Sequence, residues 1–422
     1  MRGKARRRVT VPGRRTPIRR LLPVVAWTCA VLVTVAAIAP LVLHWLTNPD
    51  DQRLVDLAVY REGGQSFLQG RAIYDYLTPA PQLLPFTYPP VAALLAAPLA
   101  ALPWPVVQWL WTAGIFACLA VVLAVAFRPF LRKAGQWRPA AFAVLFIASA
   151  YLLPMQYQVR FGQVGILLTM LCLLDCTIKA PWWPRGVLIG LATAIKLTPG
   201  LFIIYLWITG RRAAAAAAGV TTAMLMLIPF VVIPDDTARF WFGALLDSGR
   251  VGANNATTNQ SIRGMLLRLY LDSGLTSILW TILVTVVGVI GFRAAHLLWS
   301  TRQEIAAVSV VGLLTALLSP VGWIHHYTWI ILTIAALLQD GTSARRDLGA
   351  ASLWLAFTIP IPYLGVAVLA AQPTQVPALV LGKIVQDGYG LIAVGLVVVT
   401  WWRLRPGFHG DRSVTSAGLT AY

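Results

Sequence analysis

Long apolar runs constrain this chain more than any other feature of its sequence. Residues 21–43 contain no charged side chain, and a helix of that length rises about 35 Å, enough to cross a bilayer core of about 30 Å. Of the 422 residues, 58% are hydrophobic and only 12% are charged. A water-soluble fold would leave much of that apolar surface exposed, so the sequence predicts an all-α polytopic membrane protein.

Hydropathy along the chain predicts about twelve transmembrane helices. Two of the apolar segments, 186–196 and 199–210, are too short to cross alone because a helix of that length rises only about 16 Å. They either extend into their flanks or form a broken, partly embedded pair. The predicted crossings lie near residues 21–43, 104–127, 139–153, 164–178, 186–196, 199–210, 213–233, 276–298, 305–318, 327–339, 348–371 and 388–402.

The basic residues are distributed as the positive-inside rule expects. With these crossings, the predicted cytoplasmic segments hold 24 Lys and Arg against 5 acidic residues, whereas the outer segments hold 10 of each. The formal charge of +19 therefore reflects membrane orientation and contact with anionic lipid, and we expect no nucleic-acid partner. The predicted organisation is a basic cytoplasmic tail (1–20), one transmembrane domain (21–402) with outer segments at about 44–87 and 234–274, and a cytoplasmic tail (403–422).

The first outer segment carries the best candidate for a catalytic base. On a helix, Asp56, Tyr60 and Gly63 or Gly64 share one face. Paired glycines weaken a helix, so they indicate that a neighbouring helix or a substrate approaches the backbone closely. A partly desolvated carboxylate just outside the membrane can accept a proton from an attacking hydroxyl. The alternative is an ordinary amphipathic helix at the interface, with Asp56 solvated or capping.

A second candidate feature is Phe86-Thr87-Tyr88-Pro89-Pro90, followed by an apolar stretch that ends at Pro103. The stretch is too short to cross, and prolines suit a first helical turn, so we predict a half-embedded helix that begins at the outer surface. The free N–H groups of its first turn suit a phosphate, although the prolines would also start a purely structural helix.

Three further clusters carry polar groups at the outer face. Lys196 lies in an apolar region before Pro199. It either has a functional role there or extends its aliphatic side chain so that the ammonium group reaches the membrane interface. Asn259, Gln260, Ser261 and Arg263 can bind sugar hydroxyls and phosphate oxygens. The adjacent pair His325 and His326 predicts one ring facing the cavity and one packing, more readily than a metal site.

Together these motifs resemble a known enzyme family. Between residues 55 and 327 the chain is similar, motif by motif and in the same order, to glycosyltransferase family 87. The motifs are Asp56-x-x-x-Tyr60 with Gly63-Gly64, Tyr74-Asp75, Phe86-Thr87-Tyr88-Pro89-Pro90, Gly162-Gln163, Lys196-x-x-Pro199, Asn259-Gln260-Ser261 and His325-His326-Tyr327.

The resemblance implies a GT-C-type fold and transfer of mannose from polyprenyl-phosphate-mannose. It implies an inverting reaction without metal or cofactor, in which Asp56 is the base, and Lys196, Arg263 and one histidine stabilise the leaving phosphate. Tyr60, Tyr88 and Gln163 would help to bind substrate. The acceptor would be a phosphatidylinositol mannoside or lipomannan, linked α-(1,2), on the extracytoplasmic face of the plasma membrane.

Two other functions remain open at this point. An arabinosyltransferase or another enzyme of lipid-linked glycans would share the outer segments and a cationic phosphate site. A secondary transporter would place ionisable residues at mid-membrane, and only Asp175 and Lys196 lie well inside apolar runs. The chain has no Walker-type phosphate loop, which disfavours an ATP-driven pump.

Overall fold

The computed structural model describes residues 17–49 and 52–405, and these residues are mainly helical. Within these ranges β-pairing is limited to two isolated bridges, Leu77 with Pro85 and Asn259 with Trp323. The predicted tails, 1–20 and 403–422, lie largely outside the described residues.

Twenty α-helices follow one another along the described chain. They are α1 (Pro17–Leu46), α2 (Val55–Leu68), α3 (Pro90–Ala100), α4 (Trp104–Ala126), α5 (Arg128–Lys133), α6 (Arg138–Ala150), α7 (Leu153–Phe161), α8 (Gly165–Thr177), α9 (Val187–Ile195), α10 (Leu201–Ile208), α11 (Arg212–Val232), α12 (Pro234–Arg239), α13 (Ile262–Leu267), α14 (Ser273–Ser300), α15 (Glu304–Leu317), α16 (Ile330–Leu338), α17 (Ala344–Thr358), α18 (Ile361–Ala371), α19 (Val376–Gln386) and α20 (Gly388–Leu404).

Four of these helices are long and apolar enough to cross a membrane: α1 from Pro23, α4, α11 and α14. Three bent pairs also qualify if each is one span: α6 with α7, bent by 71°, α17 with α18, by 55°, and α19 with α20, by 66°. Length and composition thus support up to seven spans in the described chain. Shorter apolar helices, among them α8 and α15, accompany them, and the count of about twelve crossings stays a prediction.

The helices of the structure differ from the predicted apolar segments where the chain bends. The predicted crossing 348–371 is broken at Ile359 and Pro360, because proline has no N–H to continue the helix and disfavours helical geometry in the residue before it. Helix α19 was not predicted, because Lys383 and Gln386 interrupt its apolar character.

Outer helix α2 packs tightly on α3, and the paired glycines make this possible. A Cβ at Gly63 would lie 2.6 Å from the Phe86 ring, and one at Gly64 would lie 2.6 Å from the carbonyl carbon of Ala96. The predicted close approach to the glycine backbone is therefore confirmed, and the approaching groups are an aromatic ring and the backbone of α3.

The two short segments around Lys196 form a broken pair, one of the two predicted alternatives. Helix α9 ends at Ile195, Lys196 is extended (φ −150°, ψ 127°), and a 3-10 turn over Thr198–Gly200 leads into α10. Pro199 has no N–H, so a continuous helix would lack a hydrogen bond here. The break leaves the Lys196 side chain between two helix ends.

The other charge within an apolar run has a structural partner. The Asp175 carboxylate on α8 accepts hydrogen bonds of 3.0 Å from the backbone N–H groups of Gly186 and Ile189 at the start of α9. Those N–H groups have no partner inside their own helix. Asp175 thus caps α9 and joins it to α8.

Candidate active site

A cavity of about 670 Å³ opens beside the first residues of α2. Its wall combines the start of α2, the segment before α3, the end of α7, the break at Lys196, the second outer segment and the junction after α15. Of the residues predicted from the sequence, the wall contains Asp56, Tyr88, Gln163, Lys196, His325 and His326.

Local backbone geometry positions Asp56 at this cavity. Leu54, which precedes α2, adopts a left-handed conformation (φ 50°), and its N–H donates to the Arg160 carbonyl on α7 at 2.6 Å. Helix α7 ends at Gly162, which is also left-handed (φ 70°), a conformation that favours glycine. The next residue, Gln163, donates from Nε2 to Asp56 Oδ2 at 2.5 Å.

The environment of Asp56 makes its carboxylate more basic than usual. Burial raises the pKa of Asp56 to about 6, while the hydrogen bond from Gln163 and the charge of Lys196 act in the opposite direction. Helix α2 is not one of the helices that are long and apolar enough to span a membrane. A carboxyl with this pKa is largely ionised at neutral pH and can take up a proton from a hydroxyl.

Two tyrosines fix the orientation of the Gln163 amide. The Tyr60 and Tyr88 hydroxyls are 2.8 Å apart, and Tyr60 donates to Gln163 Oε1 at 3.3 Å. Since Oε1 accepts from tyrosine, the amide nitrogen of Gln163 faces Asp56. Tyr60 does not line the cavity, but it supports Tyr88, which does line it.

Lys196 continues this line of contacts across the cavity. Its Nζ donates to the Tyr88 hydroxyl at 3.4 Å and lies 2.9 Å from His326 Nε2. A lysine ammonium has only donors, so this contact makes His326 Nε2 the acceptor. An unbroken chain of polar contacts thus joins the carboxylate of Asp56 to the imidazole of His326.

The two histidines differ in their surroundings. His326 is partly exposed and contacts Lys196, whereas His325 is buried, with its ring 5.8 Å from that of Phe161. The sequence predicted one ring in the cavity and one packed. His325 nevertheless forms part of the cavity wall, and its Nε2 is buried without a hydrogen-bond partner among the described residues.

Asn259, Gln260 and Ser261, predicted to bind substrate, lie outside the wall. All three are fully buried. Asn259 Oδ1 accepts from the Gly322 N–H at 2.9 Å, and Gln260 Oε1 accepts from the Gly390 N–H at 3.0 Å. Ser261 caps α13. The Asn259 and Ser261 side chains hold the second outer segment against the junction before the histidines, and the Gln260 side chain holds it against α20.

The cation that the second outer segment contributes to the wall is Arg250, not Arg263. Arg263 donates to Ser248 Oγ at 2.9 Å and lies over the Trp280 ring, and it is absent from the wall. Arg250 lines the cavity and donates to the Tyr74 carbonyl at 2.7 Å. Sequence analysis missed Arg250, although its flanking glycines, Gly249 and Gly252, indicate a tight turn that presents a side chain.

The start of α3 contributes less than predicted. Thr87, Tyr88 and Pro89 line the cavity, but Val91 and Ala92, which carry the first N–H groups of the helix, do not. The predicted phosphate site at this helix end therefore has no backbone donors in the wall.

The described residues form no cluster of three or more His, Cys, Asp and Glu side chains arranged to hold a metal ion. The charged groups of the wall are instead two separate carboxylates, Asp56 and Asp247, and two separate cations, Lys196 and Arg250. The two cations can contact a substrate that carries one negatively charged group.

Comparison with known proteins identifies relatives across most of the chain. The chain is 32% identical to a polyprenol-phosphate-mannose-dependent alpha-(1-2)-phosphatidylinositol mannoside mannosyltransferase of Mycolicibacterium smegmatis, over 75% of this chain and 77% of that protein. It is 30% identical to the Mycobacterium tuberculosis protein of the same name, over 87% and 88%. A phosphatidylinositol pentamannoside mannosyltransferase of M. smegmatis, also alpha-(1-2) and polyprenol-phosphate-mannose-dependent, is 32% identical, over 81% and 83%. No solved structure matches the chain.

A family model adds a match over residues 86–320. That range includes Tyr88, Gln163, Lys196 and Arg250, whereas Asp56 and the two histidines lie beyond its ends. These latter residues are connected to the matched region by the contacts described above. With its apolar helices, this membrane-embedded chain belongs to glycosyltransferase family 87.

Proposed function

We propose that this protein transfers mannose from polyprenyl-phosphate-mannose to a hydroxyl of a phosphatidylinositol mannoside or of lipomannan, with inversion, to form an α-(1,2) linkage. The names of the relatives support the donor, the linkage and the acceptor class. The observation that carries the proposal is the line of contacts from Asp56 through Gln163 and the tyrosines to Lys196 and His326.

Asp56 acts as the general base. The acceptor hydroxyl transfers its proton to the Asp56 carboxylate while its oxygen forms a bond to the anomeric carbon of mannose. Gln163 holds the carboxylate in place, and burial keeps it basic. Attack from the face opposite the leaving group inverts the anomeric centre.

The bond between the anomeric carbon and the phosphate oxygen breaks in the same step, and its electron pair goes to the polyprenyl phosphate. Lys196, His326 and Arg250 surround the region where that charge develops. Donors that are already oriented in a partly dry cavity stabilise such charge strongly. We assign this role to Arg250 in place of Arg263, because only Arg250 lines the cavity. These groups complete the step without a metal ion.

The other side of the wall suits a lipid tail. Leu84, Leu197, Leu201, Leu318 and Val321 line the cavity beside the polar groups. A polyprenyl chain concentrates the donor at the membrane, and these apolar side chains allow the phosphate to enter while the chain stays in the lipid.

Topology and fold complete the proposal. The fold is of GT-C type, with one transmembrane domain over residues 21–402, both termini in the cytoplasm and the cavity on the extracytoplasmic face of the plasma membrane. The charge distribution supports this orientation. One large cluster of buried hydrophobic side chains includes residues from Leu41 to Val397, which supports one domain.

The test is a transfer assay with purified protein. Synthetic polyprenyl-phosphate-mannose is offered with extracted phosphatidylinositol mannosides or with lipomannan, and the linkage and anomeric configuration of the product are read by NMR. We expect α-(1,2)-mannosylated product, unchanged by EDTA. Transfer only from polyprenyl-phosphate-arabinose, or loss of transfer in EDTA with rescue by magnesium or manganese, would overturn the respective part of the proposal.

A further inference from the structure

A second cavity, of about 770 Å³, is separate from the one beside Asp56. It is a groove between α10, α14 and α20. Helix α14 begins beside the second outer segment, and the groove follows its distal half, from Val284 to Leu297. None of the residues that line this groove belongs to the wall of the first cavity.

The distal end of the groove is basic. Arg293 and His296 on α14 and Arg405 after α20 line it, and all three are exposed. No acidic residue lines the groove, and neither arginine forms a salt bridge within the described chain. The Arg405 guanidinium lies 5.9 Å from the Trp401 ring centre, an arrangement that orients a guanidinium while its N–H groups stay available.

His296 is also arranged to bind a further group. Its Nδ1 is 3.0 Å from the Ile208 carbonyl oxygen, and a carbonyl only accepts, so Nδ1 donates. The other ring nitrogen, Nε2, is left without a partner among the described residues. With the two arginines, His296 makes a third polar group in the lining of the groove.

The remainder of the groove is apolar. Its walls are formed by side chains such as Ile204, Val284, Val289 and Phe292. Along α14, the distance from Val284 to Leu297 is about 20 Å. A groove with apolar walls of this length and a cationic end complements an acyl chain that carries an anionic head group.

We propose that this groove binds one anionic phospholipid, with its phosphate at Arg293, His296 and Arg405 and an acyl chain along α14. In the proposed orientation, this lipid comes from the cytoplasmic leaflet. A free phosphate ion would leave the apolar walls uncovered. A second copy of this chain would have to place acidic groups opposite the arginines. The exposed residues beside the groove on α14, such as Ile282 and Val286, are apolar and offer no acidic group.

The test measures lipid retention by the purified full chain in detergent. Dioleoyl phosphatidylglycerol and dioleoyl phosphatidylcholine are added separately, bound lipid is counted by native mass spectrometry, and thermal unfolding is recorded. Inorganic phosphate serves as the head-group control. The variants are Arg293→Gln with Arg405→Gln, Val289→Trp, and Arg403→Gln as a matched control, because Arg403 is exposed two residues from Arg405 but does not line the groove.

We expect one phosphatidylglycerol to be retained by the wild type and by Arg403→Gln, with a rise in melting temperature of about 2–4 °C. The double arginine variant should bind it about thirtyfold more weakly, and Val289→Trp should lose it with its charges intact. Unchanged melting temperatures without lipid establish that the variants fold. Equal retention of phosphatidylcholine, equal loss in Arg403→Gln, stabilisation by phosphate alone, or a change of oligomeric state in Val289→Trp would overturn the proposal.

Discussion

At the scale of single residues, the balance of interactions at Asp56 matters most. Burial raises its pKa and makes it a better base, whereas the hydrogen bond from Gln163 and the charge of Lys196 keep it ionised at neutral pH. A base is most effective when its pKa lies near the working pH. The surroundings of Asp56 meet both requirements.

This balance determines how the rate should depend on pH. Because the base must be deprotonated, kcat/KM should rise about tenfold per pH unit below pH 6 and level off above it. The measurement is the pH profile of mannose transfer at low acceptor concentration. A profile that stays flat from pH 4.5 to 7 would contradict a base with this pKa.

Arg250 provides a second residue-scale prediction. Arg250→Gln should lower kcat/KM by about 10²-fold, since it removes a donor from the developing charge of the phosphate. Arg239→Gln is the matched control, because Arg239 lies in the same outer segment but pairs with Asp75 outside the cavity. Equal effects of the two substitutions would mean that Arg250 acts only through general electrostatics.

At the scale of elements, the α2–α3 contact supports the site. In Gly64→Ala, the new Cβ would meet the backbone of Ala96 at 2.6 Å, so the helices must separate at a cost of about 1–3 kcal/mol. Asp56 and Tyr60 lie on α2, and their displacement should lower the transfer rate together with the melting temperature.

Gly114 on α4 offers the matched substitution for this prediction. A Cβ at Gly114 meets nothing within 4 Å, so Gly114→Ala should leave transfer and thermal unfolding almost unchanged. Equal destabilisation by the two alanines would show that the α2–α3 contact is not specifically tight.

The sequence predicts some elements better than others, for physical reasons. The main spans are long apolar runs, so hydropathy alone locates them: α4 has no charged residue, and α14 has only Arg293, near its end. Helices α7 and α19 lie next to sharp bends and carry polar residues, including Arg160 and Lys383, so their apolar signal is weak. Their positions depend on packing against the other helices.

The same distinction applies to the candidate site. Asp56, Lys196 and His326 stand out because they are ionisable residues beside apolar segments. The burial of Asn259 follows from its bonds to Gly322, far along the chain, and no local pattern reveals it. That Arg250 lines the cavity and Arg263 does not likewise depends on which side of a folded turn each arginine occupies.

At the scale of the whole molecule, the charge distribution predicts one orientation in the membrane. Cysteine reporters at two highly exposed positions test it: Phe242 in the second outer segment and Trp182 in a predicted inner connection. In intact cells, a membrane-impermeant maleimide should label Phe242→Cys well above the background of the native cysteines. It should reach Trp182→Cys only after the membrane is permeabilised. The reverse pattern would place the cavity in the cytoplasm.

The central claim, that Asp56 is the general base, is tested most directly by mannose transfer with Asp56→Asn. The wild type and Asp235→Asn, which alters an exposed acid of the second outer segment, serve as controls, and donor binding is measured in parallel. We expect Asp56→Asn to bind polyprenyl-phosphate-mannose as the wild type does but to transfer mannose about 10²–10⁴-fold more slowly, with Asp235→Asn unaffected. Wild-type turnover by Asp56→Asn would contradict the account.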